Sequence, residues 1–401
     1  MPTDTAPGPA IPLARWASRK LQELAALAGS HRIATLDGPT LLGERAAMNG
    51  WLVPGLASAG LGGSKLMRTA DNRWFALTIL RDVDREMLPA LFAGDIARVS
   101  DAQTIARAVG RHEIAGLLDR GRALGLPVAS ADEKPLAPPV EIITRGRRRT
   151  RTNTHRPLVV DLSAIWAGPL AGHLFWLAGA EVVKVESPGR PDLIRRDDPA
   201  TFDVINQGKA NVALDLADNA DREALVALIR RADIVIESSR PRALRHLGID
   251  AEALVREVPG LVWLSVTGHG ATGEAANWAG VGNDCSVAAG LSRAMERAGG
   301  RMGYVGDAIT DPLTGITAAL AGWRSYLNGE AVRIGFAMSA IGAQALADES
   351  ALDAARIATE LREWSNAVGK PFPPLPRRTL LAPVAQMGAD AARYLSGAST
   401  C

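Results

Sequence analysis

From Pro157 onward the chain alternates between short apolar runs and helix-length segments, and few folds accept that pattern. L-V-V-D-L (158–162) reads as a buried strand, A-G-P-L-A-G-H-L-F-W-L-A-G (167–179) as a helix and A-E-V-V-K-V-E (180–186) as a second strand. The alternation continues through N-V-A-L-D-L (211–216), a helical D-R-E-A-L-V-A-L-I-R-R-A, D-I-V-I-E-S-S (233–239), a helical A-E-A-L-V-R-E-V and L-V-W-L-S-V-T-G (261–268). Short, continuously apolar strands with helices between them predict a parallel sheet covered on both faces. That is a doubly wound α/β domain. Ligands in such sheets bind beyond the carboxyl ends of the strands. This places Ser163–Gly168, Glu186–Gly189, Ser238–Pro241 and Thr267–Gly270 around one crevice.

Several chemistries are missing from that crevice. No G-x-G-x-x-G follows the first strand, no G-x-x-x-x-G-K-[ST] occurs, and no serine sits in a G-x-S-x-G elbow. A net charge of +2 on 401 residues argues against a nucleic-acid partner. With 47% hydrophobic and 22% charged residues the chain has globular composition and enough length for two cores. Cys285 and Cys401 make no disulfide framework and show no C-x-x-C or Cys/His metal spacing, so no metal is expected. Residues 1–12 lack the regions of a signal peptide and no 18-residue apolar window occurs. The expected location is the cytoplasm, away from membranes.

Ahead of the α/β pattern, Leu13–Leu27 reads as an amphipathic helix with Trp16, Leu21, Leu24 and Leu27 along one stripe. Gly55–Lys65 is a glycine-rich loop, in which Gly60, Gly62 and Gly63 read either as a lid over a ligand or as a mobile surface loop. A hairpin follows, with Asp71-Asn72 as its turn and a strand at Trp74–Leu80. Arg145–Arg156, R-G-R-R-R-T-R-T-N-T-H-R, is a basic run without aromatic interleaving, read as a solvated linker between domains.

The chemistry is placed in V-G-D-A-I-T-D-P-L-T-G-I-T-A-A-L (305–320). Thr310 or Asp311 can cap an apolar helix with Pro312 at its first position, and Gly315 permits close approach of another segment. A carboxylate at Asp311 can serve as that cap or as a nucleophile towards a thioester.

Six motifs in order then carry a resemblance: D-L-S-A-I-W-A-G-P (161–169), G-A-E-V-V-K-V-E-S-P-G (179–189), I-N-Q-G-K-A-N-V-A-L-D-L (205–216), A-D-I-V-I-E-S-S-R-P (232–241), L-V-W-L-S-V-T-G-H-G (261–270) and G-D-A-I-T-D-P-L-T-G (306–315). Over roughly residues 157–345 the chain resembles the family III CoA-transferases, the CaiB/BaiF type. The resemblance implies a Rossmann-like large domain, a smaller α+β domain and an interlocked homodimer. It implies Asp311 as the nucleophile towards an acyl-CoA, giving an aspartyl-CoA thioester, with Gly62 and Gly63 as backbone donors beside it. For coenzyme A it implies Ile165, Trp166 and Ala167 along the pantetheine, with Lys184, Asn206, Lys209, Ser238 and Arg240 completing the contacts. Asp284 and His269 become candidate substrate contacts. The bland alternatives are surface charges for Lys209 and Arg240, a helix cap for Asp284 and an ordinary loop histidine for His269.

Two departures shape the expectation. The family's small domain usually follows the large one; here its pattern stands ahead of it. The resulting division is a small domain with the glycine loop at 1–144, the basic linker at 145–156, the large CoA-binding domain at 157–345 and a tail at 346–401 packing back on it. The family's racemase branch uses a His-Asp step before the aspartate, and this chain has Asn283-Asp284, which cannot exchange protons at Asn283. The expected function is acyl-CoA:carboxylate CoA transfer. The alternatives are a 2-methylacyl-CoA racemase or isomerase and a non-catalytic CoA-binding homologue.

Overall fold

The computed structural model describes residues 8–60, 63–94, 101–151 and 155–395. A small antiparallel sheet comes first: β1 (Ser64–Arg68), β2 (Trp74–Thr78) and β3 (Val128–Ser130), in that order. The β1–β2 register pairs Ser64 with Thr78 and Arg68 with Trp74, and Asn72 takes the left-handed conformation the tight turn requires (φ 55°). Short helices cover one face of this sheet, where Phe75, Leu77, Leu91, Phe92 and Leu117 close a separate core.

The large sheet contains β4 (Val140–Arg145), β5 (Leu158–Asp161), β6 (Glu181–Glu186), β7 (Ala210–Ala213), β8 (Ile234–Glu237), β9 (Val262–Thr267) and β10 (Val332–Ala337). Its order is β4-β10-β9-β8-β5-β6-β7, parallel throughout except for β4, which runs antiparallel to β10. The order of the parallel strands reverses between β5 and β8, so a topological switch point opens there. Both faces are dry because successive residues turn to opposite cores. Val159, Ile234, Ile236, Val262 and Leu264 face one set of helices, and Val160, Val235 and Trp263 face the other. Each such fully buried side chain is worth about 1.5–3 kcal/mol. On the first face the helices Ala167–Leu177 and Thr310–Leu327 lie close together, since a Cβ on Gly315 would come within 2.7 Å of the Ala167 carbonyl oxygen.

Segments that a boundary at residue 144 separates from the α/β body are built into it. The helix Ala14–Ala28 buries Trp16, Leu21 and Leu24 in the same core as the helix Thr310–Leu327. β4 is an edge strand of the large sheet. The basic run is also anchored rather than simply solvated. Arg149, Arg151 and His155 converge on buried Asp233, which also accepts the Leu158 N–H at 3.0 Å. Burial opposes ionisation of Asp233, but the Leu158 N–H, His155 and Arg151 hold its pKa below the usual carboxylate range. After Met338–Asn366, two helical stretches that meet at a kink at Asp353, the tail lies along the body through Arg378 to Glu44, Leu381 N–H to Gln207 and Gly388 N–H to Asn211. Among the described residues no helix is long and apolar enough to cross a membrane.

Candidate active site

A cleft of about 560 Å³ opens at the switch point, between the small sheet's unit and the carboxyl ends of the large sheet. Leu80, Arg81 and Pro127 form one wall, and Ala164, Ile165, Ser238, Arg240, Thr267, Gly268 and Gly280 form the other. Ile165 holds φ 70°, a conformation a β-branched residue seldom adopts. The loop is fixed there because the Ile165 N–H donates to Asp192 and the Ala164 N–H to Ser238 Oγ.

Cations gather at this cleft. Burial and the neighbouring Arg242, Arg81 and Arg190 lower the pKa of Arg240, the mark of like charges held together. Arg81 pairs with Asp84 at 2.7 Å, whereas among the described residues Arg190, Arg240 and Arg242 have no acidic partner. Three unspent guanidinium groups beside a cleft suit a phosphorylated ligand. Arg81 and Arg190 escaped the sequence reading, whose only signal for them was proximity to strand ends.

Asp311 lies behind the cleft wall. The sequence reading allowed it to be a cap with Pro312 opening the helix; instead the helix begins at Thr310 and Asp311 sits within the first turn. Thr310 Oγ1 donates to the Gly282 carbonyl, and the Ala167 N–H serves Asp311 as a donor. A Cβ on Gly282 would fall 2.0 Å from Asp311 Oδ2, so only glycine leaves room for the carboxylate. Asp311 is 8% exposed, and burial raises its pKa to about 7, against the pull of Arg45 and with a further push from Asp307 and Asp284. Arg45 itself is committed to Asp307 through two hydrogen bonds of 2.6 and 2.7 Å. Its guanidinium lies 4.3 Å from the ring centre of buried Trp166.

Asp284 is fully buried and caps its helix, accepting the Val281 N–H at 3.1 Å, and it also accepts Thr78 Oγ1 at 3.3 Å. His269 Nε2 faces its other oxygen at 3.7 Å. Asn283 accepts the Ala308 N–H through Oδ1 and so props the turn leading to Asp311.

Other expected contacts are spent inside the protein. Lys209, read as a phosphate contact or a surface charge, is 4% exposed and donates to Asp161, the Pro169 carbonyl and Asn206 Oδ1 at 2.8–2.9 Å. Burial lowers its pKa to about 8. Asn206 is thereby a support for Lys209. Lys184 donates to the Ser163 carbonyl and pairs with Asp192 at 3.0 Å. Burial disfavours its ammonium, yet Asp192, Asp161 and Glu186 keep its pKa above the ordinary value. The two lysines thus brace the loop that carries Ile165–Ala167. Gly63 has φ 54° and is pinned to β2, its carbonyl accepting the Ile79 N–H at 3.2 Å; Gly62 lies outside the described residues.

Sequence comparison bears on the same segment. Residues 157–352 match CoA-transferase family III. The acetyl-CoA:oxalate CoA-transferase of Acetobacter aceti is 33% identical over 127 residues, covering 30% of this chain and 33% of that one. The succinate–glutarate CoA-transferase of Agrobacterium fabrum is 29% identical over 209 residues, covering 48% and 52%. The chain spans about a third to a half of the length of these curated relatives. Among solved structures, a hypothetical protein from Mycobacterium tuberculosis gives a TM-score of 0.46 at 27% identity, covering 52% of this chain and 60% of that one. A CaiB/BaiF family protein from Brucella suis gives 0.42 at 27% identity, covering 51% and 58%. The family III segment contains Ile165–Ala167, the arginines at 190, 240 and 242, and Asp311; Arg81 and Arg45 come from outside it.

Proposed function

We propose that the protein is a CoA-transferase that moves coenzyme A from an acyl-CoA thioester to a carboxylic acid, with Asp311 as the nucleophile. The observation that carries this reading is a nearly dry carboxylate set against the Ala167 N–H, just past the Ile165 loop that walls a cleft rimmed by Arg190 and Arg240, which have no acidic partner among the described residues. The matched family and the activities of its curated relatives support it.

In this reading the arginines at 190, 240 and 242 hold the phosphates and the pantetheine runs over Ile165 towards Asp311. The Asp311 carboxylate attacks the thioester carbon and CoA leaves as a thiolate, giving a mixed anhydride. The thiolate then attacks the aspartyl carbonyl, releasing the donor acid and leaving an aspartyl-CoA thioester. The acceptor carboxylate displaces CoA to form a second anhydride. Attack by the thiolate on the acceptor's carbonyl carbon yields the new acyl-CoA and restores Asp311. A carboxylate is a weak nucleophile, so burial that strips its hydration and a fixed N–H at Ala167 both matter. The small unit, placed ahead of the family segment, supplies the facing wall through Leu80, Arg81 and Pro127. A cytoplasmic homodimer is part of the proposal.

Intact-mass spectrometry after mixing with a panel of acyl-CoA thioesters, with hydroxylamine or borohydride as trap, tests it. An adduct on the native chain that is absent from Asp311→Ala is expected. CoA binding without any adduct would replace transfer by a non-catalytic CoA-binding role.

A further inference from the structure

Beside the Asp311 pocket, three side chains that the transfer chemistry leaves unused come together, although the Cys285 thiol also donates to the Gly268 carbonyl at 3.3 Å. His269 follows the end of β9, and Asp284 and Cys285 lie in the helix Gly282–Ala288. Nε2 of His269 is 3.7 Å from Asp284 Oδ2, Cys285 Sγ is 3.9 Å from the same oxygen, and all three ligand atoms fall within 4.8 Å of one another. None of the three is more than 4% exposed.

Two further observations distinguish this cluster from ordinary core packing. His269 Nε2 is buried without a hydrogen-bond partner, which is costly for a ring nitrogen. A glycine also closes the space: a Cβ on Gly280 would sit 2.8 Å from Cys285 Sγ and 2.9 Å from His269 Nε2. Charge points the same way. Asp284 and Asp311 are buried within electrostatic reach of each other, and the nearby Arg45 is bound to Asp307.

We propose that His269, Asp284 and Cys285 form a binding site for a divalent transition metal ion of the zinc class. Nitrogen, carboxylate oxygen and thiolate sulfur together suit that class rather than magnesium or calcium. Tetrahedral bonds of about 2.0–2.3 Å separate ligand atoms by roughly 3.3–3.6 Å, so the two spacings to Asp284 need to close by a few tenths of an ångström and the spacing between His269 and Cys285 by up to about 1 Å. Binding forms one metal–sulfur bond and releases the Cys285 thiol proton to solvent. Gly268 and Gly280, which pack against the cluster, also line the cleft, so the ion would enter from that side.

The test uses the full chain stripped with a chelator and titrated with cobalt(II), then displaced with zinc; its readout does not depend on CoA transfer. One cobalt per chain is expected, with a thiolate-to-cobalt charge-transfer band. Cys285→Ser should abolish the band, His269→Gln should weaken binding at least about tenfold, and Cys401→Ser should change neither. No band at saturating cobalt, or a band surviving Cys285→Ser, overturns the proposal. Should Cys285→Ser fail to fold by circular dichroism, His269→Gln decides, and unchanged affinity in that variant overturns it.

Discussion

Asp311 illustrates how burial sets a reactive group against the stability of its own fold. Its pKa of about 7, raised mainly by burial, means that the folded chain holds this proton more tightly than the unfolded chain does. Stability is therefore lost as pH rises from the ordinary carboxylate range through 7, while the nucleophilic form appears over the same upper interval. Asp311→Asn removes the charge and keeps an acceptor for the Ala167 N–H. It is expected to stabilise the protein by on the order of 1–4 kcal/mol at pH 8, with the gain vanishing near pH 4, while eliminating the adduct. Thermal melts of both proteins at the two pH values check this; equal melting temperatures at pH 8 would show that the native carboxylate is solvated. The sequence marks Asp311 through its motif, but nothing local to it predicts the companions. Arg45 and Asp307 stand far apart in the chain, and the room left by Gly282 is visible only once two loops are packed together.

The loops that follow β2, β6 and β8 bring Arg81, Arg190 and Arg240 to one rim, although only the last two belong to the α/β pattern. Replacing Arg190 or Arg240 with alanine should weaken CoA binding about fivefold each, a loss of roughly 1 kcal/mol for a partly exposed charge-assisted contact. The penalty should shrink in high salt. Calorimetry at two ionic strengths decides it, and an affinity unmoved by both substitutions would place the phosphates elsewhere. The parallel strands were readable because their apolar runs are short and doubly buried, and strand-end positions could then be assigned to one crevice. The lysines mislead for a physical reason. Lys184, within β6, and Lys209, just before β7, stand in motifs that the family resemblance assigns to coenzyme A, yet Asp192 and Asp161 are close enough to hold them in the interior. Nor does a metal-spacing rule find His269 with Cys285, since the juxtaposition is made by a strand end meeting a separate helix.

At the scale of the whole molecule, the small sheet is joined to the body on both sides of its own sequence. Before it, the helix Ala14–Ala28 is buried against the helix Thr310–Leu327; after it, β4 zips onto β10. The polar seam adds to this, with Thr78 bound to Asp284 and Arg293 bound to Asp132 across the interface. The edge strand β4 therefore acts as a seam as well as an edge. Covalent continuity through Arg147–Thr150, exposed at its side chains but held to the body by the Gly260 N–H and the Gly329 carbonyl, is then expected to be dispensable for holding the two parts together. Limited tryptic cleavage there should give two fragments that co-elute at the native size and separate only in denaturant, whereas separation under native conditions would show that the seam is too weak. It follows that the coding sequence can be divided at this point, and two polypeptides made independently should find each other by strand pairing and restore the complete cleft.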